Sequence, residues 1–192
     1  TSSVDNVFEG NESVVVSIAS ATTSNTAGSD VTLSATTASV DATITDDDLP
    51  TVSIDVSPNS IAEGTAGTGN VLAYTVSLTN PSDQNTRVYL TFSGSAIDSS
   101  DYTVGLASDL DGAYYIDIPA GQTSSSFNIT SSVDNVFEGN ESVVVSIDSA
   151  TTSNTAGSDV TLSATTASVD AFITDDDLPT VSIAVSPQQV QE

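Results

Sequence analysis

The chain contains no cysteine, histidine, tryptophan or methionine, and its 192 residues include a single base, Arg87. Each absence excludes something. Without cysteine no disulfide can stabilise the fold, and without Cys or His the ligands that zinc prefers are missing. Without clustered Lys or Arg there is no surface to receive nucleic-acid phosphates. General acid–base work near neutrality draws on tuned His, Lys or Cys side chains, so no enzyme is expected here. A carboxylate pair could serve a glycosidase. The acids, however, sit in copied loops, and five Tyr with no Trp offer little to stack a sugar. No apolar run approaches the roughly 20 residues that span a bilayer, so no membrane insertion is expected of this segment. No signal peptide is found, and the chain opens inside a patterned segment, as a piece of a longer polypeptide would.

What the chain does contain is acid. It has 26 Asp and Glu against the one base, for a formal net charge of −25. Hydrophobic residues still make up 38%, spread in short runs, which separates it from an acidic disordered tail. Like charges repel the compact state. Arg87 alone cannot offset them, so the neutralising charge must come from outside. Divalent cations are the natural source.

The sequence repeats itself. TSSVDNVFEGNESVVVSI starts at Thr1 and again at Thr130, an offset of 129 positions. Residues 1–58 and 130–187 differ only at Ala19/Asp148, Thr43/Phe172 and Asp55/Ala184. The unit has the size of a whole domain. Pro50 and Pro179 each follow an acidic triplet and fix the backbone at a junction. The expected division is the C-terminal half of a preceding repeat over 1–48, a complete repeat over 49–177 and the first strand of a following repeat over 178–192.

Alternation of period two dominates the complete unit. Val52/Ile54, Leu72/Tyr74/Val76/Leu78, Val88/Leu90/Phe92 and Tyr114/Ile116/Ile118 follow it. So do Phe127/Ile129, Val143/Val145/Ile147 and Val169/Ala171/Ile173. Turns are marked at Asn80–Asp83, Asp109–Gly112 and Pro119–Gly121. The pattern predicts an all-β, immunoglobulin-like antiparallel β-sandwich. The Ser/Thr-rich stretch 150–168 reads as a polar hairpin between the last two strands.

Acidic residues recur in clusters. Asp134, Glu138 and Glu141 sit in one loop, copied as Asp5, Glu9 and Glu12. Asp175, Asp176 and Asp177 form a triplet, copied as Asp46, Asp47 and Asp48. Asp98 and Asp101 form a further cluster, and Glu63 follows the first strand. Adjacent carboxylates are costly unless compensated. Hard oxygen donors in loose geometry suit calcium, which takes about six to eight oxygens at ~2.3–2.6 Å. Magnesium demands stricter octahedral geometry. Asp109–Gly112 lacks the further oxygens and closing Glu of an EF-hand loop and reads as a turn. Asn11, Asn128 and Asn140 stand in N-x-S/T triplets that a chain so rich in Ser and Thr produces by chance.

Several segments together resemble the Calx-β domain: PTVSI…AEGT at 50–65, YTVSLTNPS at 74–82, SDYT at 100–103, IPAGQTSSSFNI at 118–129, VDNVFEGNESV at 133–143 and ITDDD at 173–177. The resemblance covers the whole 49–177 unit. It implies an immunoglobulin-like sandwich with calcium ions clustered at one end, near the C-terminal linker. Carried over motif by motif, it implies ligands at Glu63, Asp101, Asp134, Glu138, Glu141, Asp175, Asp176 and Asp177, with the Val136 carbonyl as a further donor. The repeat copy adds Asp5, Val7, Glu9, Glu12, Asp46, Asp47 and Asp48. The family's acidic loop often opens on two adjacent Asp; here the first of these is Val133. Such a set could hold roughly two to four Ca2+ per repeat.

The expected function is a structural calcium-binding repeat of a long extracellular, bacterial-type surface protein, stiffened by Ca2+ at the junctions between repeats. Its partners are neighbouring repeats of the same chain. Two alternatives remain: a subunit of a self-assembling filament joined to other copies by strand exchange or head-to-tail packing, and a ligand-binding module of an adhesin.

Overall fold

The structure is a computed structural model, and it describes residues 4–23, 31–65, 68–152, 159–186 and 189. The described strands begin with β1 (Glu12–Ser17), β2 (Ser39–Ile44), β3 (Thr51–Val56), β4 (Ser60–Ala62), β5 (Gly64–Thr65), β6 (Thr68–Gly69) and β7 (Val71–Leu78). Next come β8 (Thr86–Gly94), β9 (Tyr102–Val104), β10 (Ala107–Ser108) and β11 (Tyr114–Ile118). The chain continues with β12 (Ser124–Ser131), β13 (Glu141–Thr152), β14 (Thr161–Leu162) and β15 (Ser168–Thr174). No described residue is helical, as the β-branched alternation implies.

Strands β3 to β15 build two larger sheets and a small ribbon. One sheet runs β10-β11-β8-β13-β15-β4 and the other β14-β3-β7-β12-β9, while β5 and β6 pair as a small ribbon. The alternating residues face inward between the sheets. Val52, Leu72, Tyr74, Val76, Val88, Ile118, Ile129, Val143, Val145 and Ala171 are fully buried. Tyr74 stacks on Phe127 with ring centroids 5.0 Å apart. Each fully buried aliphatic side chain contributes about 1.5–3 kcal/mol. All-β architecture is therefore established by the fold itself.

Two connections position the acidic end. After β3 the chain crosses to the other sheet, where β4 runs parallel to β15 with Ile61 opposite Ile173. The Glu63 N–H then donates to the Thr174 carbonyl at 2.9 Å, so Glu63 lands beside the triplet that follows β15. On the facing sheet β12 pairs with β9, and the Ser132 N–H donates to the Asp101 carbonyl at 2.8 Å. Asp101 thereby meets the loop that leads into β13.

The repeat copies show how far context decides. β1 pairs with β2 in the register of β13 with β15, Glu12 opposite Ile44 as Glu141 is opposite Ile173. Val143 and Val145 are buried, yet their copies Val14 and Val16 are exposed, because no described strand covers β1 and β2 as β8 covers β13. Likewise 180–185 copies β3 but carries no strand: among the described residues nothing pairs with it, and a strand exists only through its neighbours. Part of the expected 150–168 hairpin, 153–158, and the end of the expected 178–192 strand lie outside the described residues. The described part of the hairpin includes β14, which departs from the sheet of β13 and β15 to run parallel to β3. Among the described residues no helix is long and apolar enough to cross a membrane.

Candidate metal centre

The acidic loop 132–140 is folded by the first residue of the triplet. Asp175 Oδ2 accepts the N–H groups of Glu138 at 2.5 Å and Gly139 at 2.6 Å, and its Oδ1 accepts that of Asp177 at 2.7 Å. Gly139 has φ +85°, a left-handed conformation that favours glycine and lets its N–H point at Asp175. The Asn140 side-chain oxygen in turn accepts the Asp175 N–H at 3.3 Å. Three N–H donors favour the charged form and hold the Asp175 carboxyl below its ordinary value, against the opposing effect of burial. The copy reproduces this clamp. Asp46 accepts from Glu9, Gly10 and Asp48 at 2.5, 2.6 and 2.8 Å, and Asn11 accepts from Asp46 at 3.0 Å. Burial pushes Asp46 up, but those three donors leave it lowered.

With the loop held, two carboxylate triads form. One oxygen each from Glu63, Asp134 and Asp177 lies within 4.8 Å of the others, and so do one each from Asp101, Glu138 and Glu141. Two oxygens on one calcium can be at most about 5 Å apart, twice the ~2.3–2.6 Å ligand distance. The spacing therefore fits a shared ion. Glu63, Asp101, Asp134, Glu138, Glu141 and Asp175 line a small, partly open cavity of about 10 Å³. That is close to the space of one water-sized particle. The donor set is all hard oxygen and fits calcium.

The electrostatics are those of crowded anions. Burial raises the Glu63 carboxyl, and Asp134, Asp177 and Asp175 add to it, while the Asp134 N–H partly offsets them. Glu63 is only 9% exposed, and its Oε1 accepts that N–H at 3.1 Å. Glu138 is raised by burial, then by Asp134, Asp101 and Asp175. Glu141 is raised by burial and by Asp101. Asp177 is raised by burial, then by Asp176 and Asp175. The single base gives no relief. Arg87 forms a two-pronged pair with Asp117 at 2.8 and 2.9 Å and lies 3.9 Å over the Tyr115 ring, on β8 and β11.

The expected residues thus divide by place. Glu63, Asp101, Asp134, Glu138, Glu141 and Asp177 come together in the triads. Asp175 shapes the loop, and Asp176 is exposed outside both triads. Val136 donates its N–H to Asp134 Oδ1 at 2.7 Å and does not line the cavity. Asp98 turns away and accepts the Tyr114 hydroxyl at 2.7 Å. Asp109 accepts the N–H groups of Asp111 and Ala113 at 3.0 and 2.9 Å, closing an ordinary turn. In the copy, Asp5, Val7, Glu9, Glu12, Asp46, Asp47 and Asp48 line a wider hollow of about 330 Å³. Among the described residues they form no triad, for no counterpart of Glu63 or Asp101 stands beside them. Asn140 and Asn11 lie in the loops as expected, but their side-chain bonds to the Asp175 and Asp46 N–H groups have no signal in the sequence beyond a fixed place after the Glu-Gly pair.

No family model matches the chain, and no curated protein matches it. Among solved structures it is similar to CBD12 from CALX1.2, at 19% identity and TM-score 0.47 over 65% of this chain and 44% of that one. It is similar to the apo-form Calx CBD1 domain at 17% identity and TM-score 0.46, over 66% of this chain and 98% of that one. The calcium binding domain CBD12 of CALX1.1 gives 17% identity and TM-score 0.45, over 65% of this chain and 46% of that one. The match thus spans less than half the length of either CBD12 structure.

Proposed function

We propose that residues 49–177 are a calcium-binding structural repeat of the Calx-β type in an extracellular surface stalk, with a mechanical and not a catalytic role. The observation that carries this reading is the pair of carboxylate triads at one end of the sandwich, remote from the only base. Ion-free, these acids repel one another and the Asp175–Asp177 linker. A dication neutralises them and ties Asp177, at the exit of the repeat, to Glu63 and Asp134 inside it. The joint to whatever follows is thereby stiffened. Because the triads draw on β4, β9, β13 and β15 connections, binding also stabilises the folded sandwich by mass action.

Isothermal titration of the chelator-stripped chain with calcium and, separately, magnesium tests this. The expected result is saturable calcium binding, with roughly two to four ions per complete repeat and much weaker magnesium binding. Absence of calcium binding, or equal binding of both ions, would overturn it.

A further inference from the structure

One sequence occurs here in two settings. The acidic loop of the first copy carries Phe8 and that of the second carries Phe137, within identical surroundings in sequence. Phe137 is 53% exposed, whereas Phe8 is 7% exposed. The difference lies in what each loop meets. The Phe8 N–H donates to the Pro81 carbonyl at 2.9 Å, and the Asp83 N–H donates to the Phe8 carbonyl at 3.0 Å, a parallel bridge centred on Ser82. Asn6 Nδ2 reaches Asn80 Oδ1 at 3.4 Å, and Asn80 Nδ2 donates to the Asp48 carbonyl at 3.2 Å. The turn is itself braced, since the Gly121 N–H donates to the Ser82 carbonyl at 2.8 Å. Among the described residues Phe137 makes no such bridge.

We infer that this loop-to-turn seat is the joint between successive repeats, made by protein alone, and that Phe137 offers the same surface to the Asn-Pro-Ser-Asp turn of a further copy of the repeat. The inference rests on the tandem-repeat part of the proposed function and not on calcium. The occupant is identified by the first copy, where an identical loop is already seated on that turn. Geometry makes the docking local. The turn follows β7, whose partner β3 begins directly after the Asp46–Asp48 linker, so loop and turn flank the same short connection. Glu9 and Asp83, on the two sides of the joint, are like charges: Asp5 raises the Glu9 carboxyl most, and Asp83 is close enough to add to it. The buried ring and the main-chain bonds therefore hold the seat against repulsion.

Amide hydrogen exchange of the full chain in excess chelator tests it. Phe8 and Asp83 amides are expected to be protected while the Phe137 amide exchanges freely. Phe8→Ala should speed Asp83 exchange by about tenfold or more, as loss of a buried aromatic implies. Val76 and Val145 amides must stay protected, which shows the sandwich intact. Glu63→Gln should leave Phe8 and Asp83 unchanged, whatever it does to calcium binding. In a chain extended by one repeat, the Phe137 amide should become protected. Asp83 exchange unaltered by Phe8→Ala, protection of Phe8 that appears only with calcium, or a Phe137 amide left unprotected in the extended chain would each overturn the inference.

Discussion

Asp134 donates its backbone N–H to the carboxylate of Glu63 at 3.1 Å, joining the acidic loop to the crossover that follows β4. That bond fixes a buried acid between two others, and it is what makes Glu63 the most informative position to change. Glu63→Gln keeps an oxygen for the Asp134 N–H and removes the charge. In chelator the variant should unfold at a higher temperature than the parent, because repulsion from Asp134 and Asp177 is relieved. In calcium it should bind more weakly, by about tenfold or about 1.4 kcal/mol. Calorimetric unfolding and titration of the same samples read the two opposite signs.

The pH dependence of the ion-free chain follows from the same crowding. Glu63, Glu138 and Glu141 are raised above 4.5, and Asp177 above 3.8, first by burial and then by neighbouring carboxylates. A raised folded value means the fold binds more protons than the unfolded chain just above the ordinary carboxylate range. Stability should therefore fall as pH rises through that window, and the chelated protein should melt higher near about pH 5 than near about pH 7.5. Asp175 is lowered, so its contribution is lost only on acidification below the ordinary 3.8. Bound calcium would hold the carboxylates ionised, so the melting trend should flatten or reverse when it is present. Unfolding temperature against pH, with and without calcium, checks this.

The three adjacent aspartates should not be equivalent. Asp175→Ala strips the acceptor from the N–H groups of Glu138, Gly139 and Asp177 and should destabilise the fold to a similar extent with and without calcium. Asp176→Ala changes an exposed side chain outside both triads and should stay within about 0.5 kcal/mol. Denaturant unfolding in both conditions separates a loop clamp from an ion ligand.

In the core, Tyr74 is fully buried, and among the described residues its hydroxyl has no hydrogen-bond partner. Burial pushes that phenol well above its ordinary value. Tyr74→Phe keeps the stack on Phe127 and removes the unpaired hydroxyl. Stability should be unchanged or improved by up to about 1 kcal/mol. A clear loss in chemical denaturation would show that the hydroxyl has a partner.

Much of this was legible in the sequence. Alternating residues such as Leu72, Tyr74 and Val76 mark their strands because a sheet face repeats every second residue. Glu63, Asp101, Asp134 and the triplet could be grouped through a family resemblance. Asp98 was misplaced with Asp101, since nothing in the sequence shows its hydrogen bond to Tyr114. The distinction between Asp175 and Asp176 was also invisible, because adjacent identical residues differ only in where the folded loop aims their oxygens. Phe8 and Phe137 are indistinguishable in sequence, and only the neighbouring turn separates a buried ring from an exposed one.

The decisive measurement is the unfolding temperature of the full chain by calorimetry, first in excess chelator and then in millimolar calcium. A rise of several degrees with calcium, little change with magnesium, and a much smaller rise in the Glu63→Gln/Glu138→Gln double variant are expected. An unfolding temperature indifferent to calcium would contradict the claim that crowded carboxylates at this end of the sandwich await a dication.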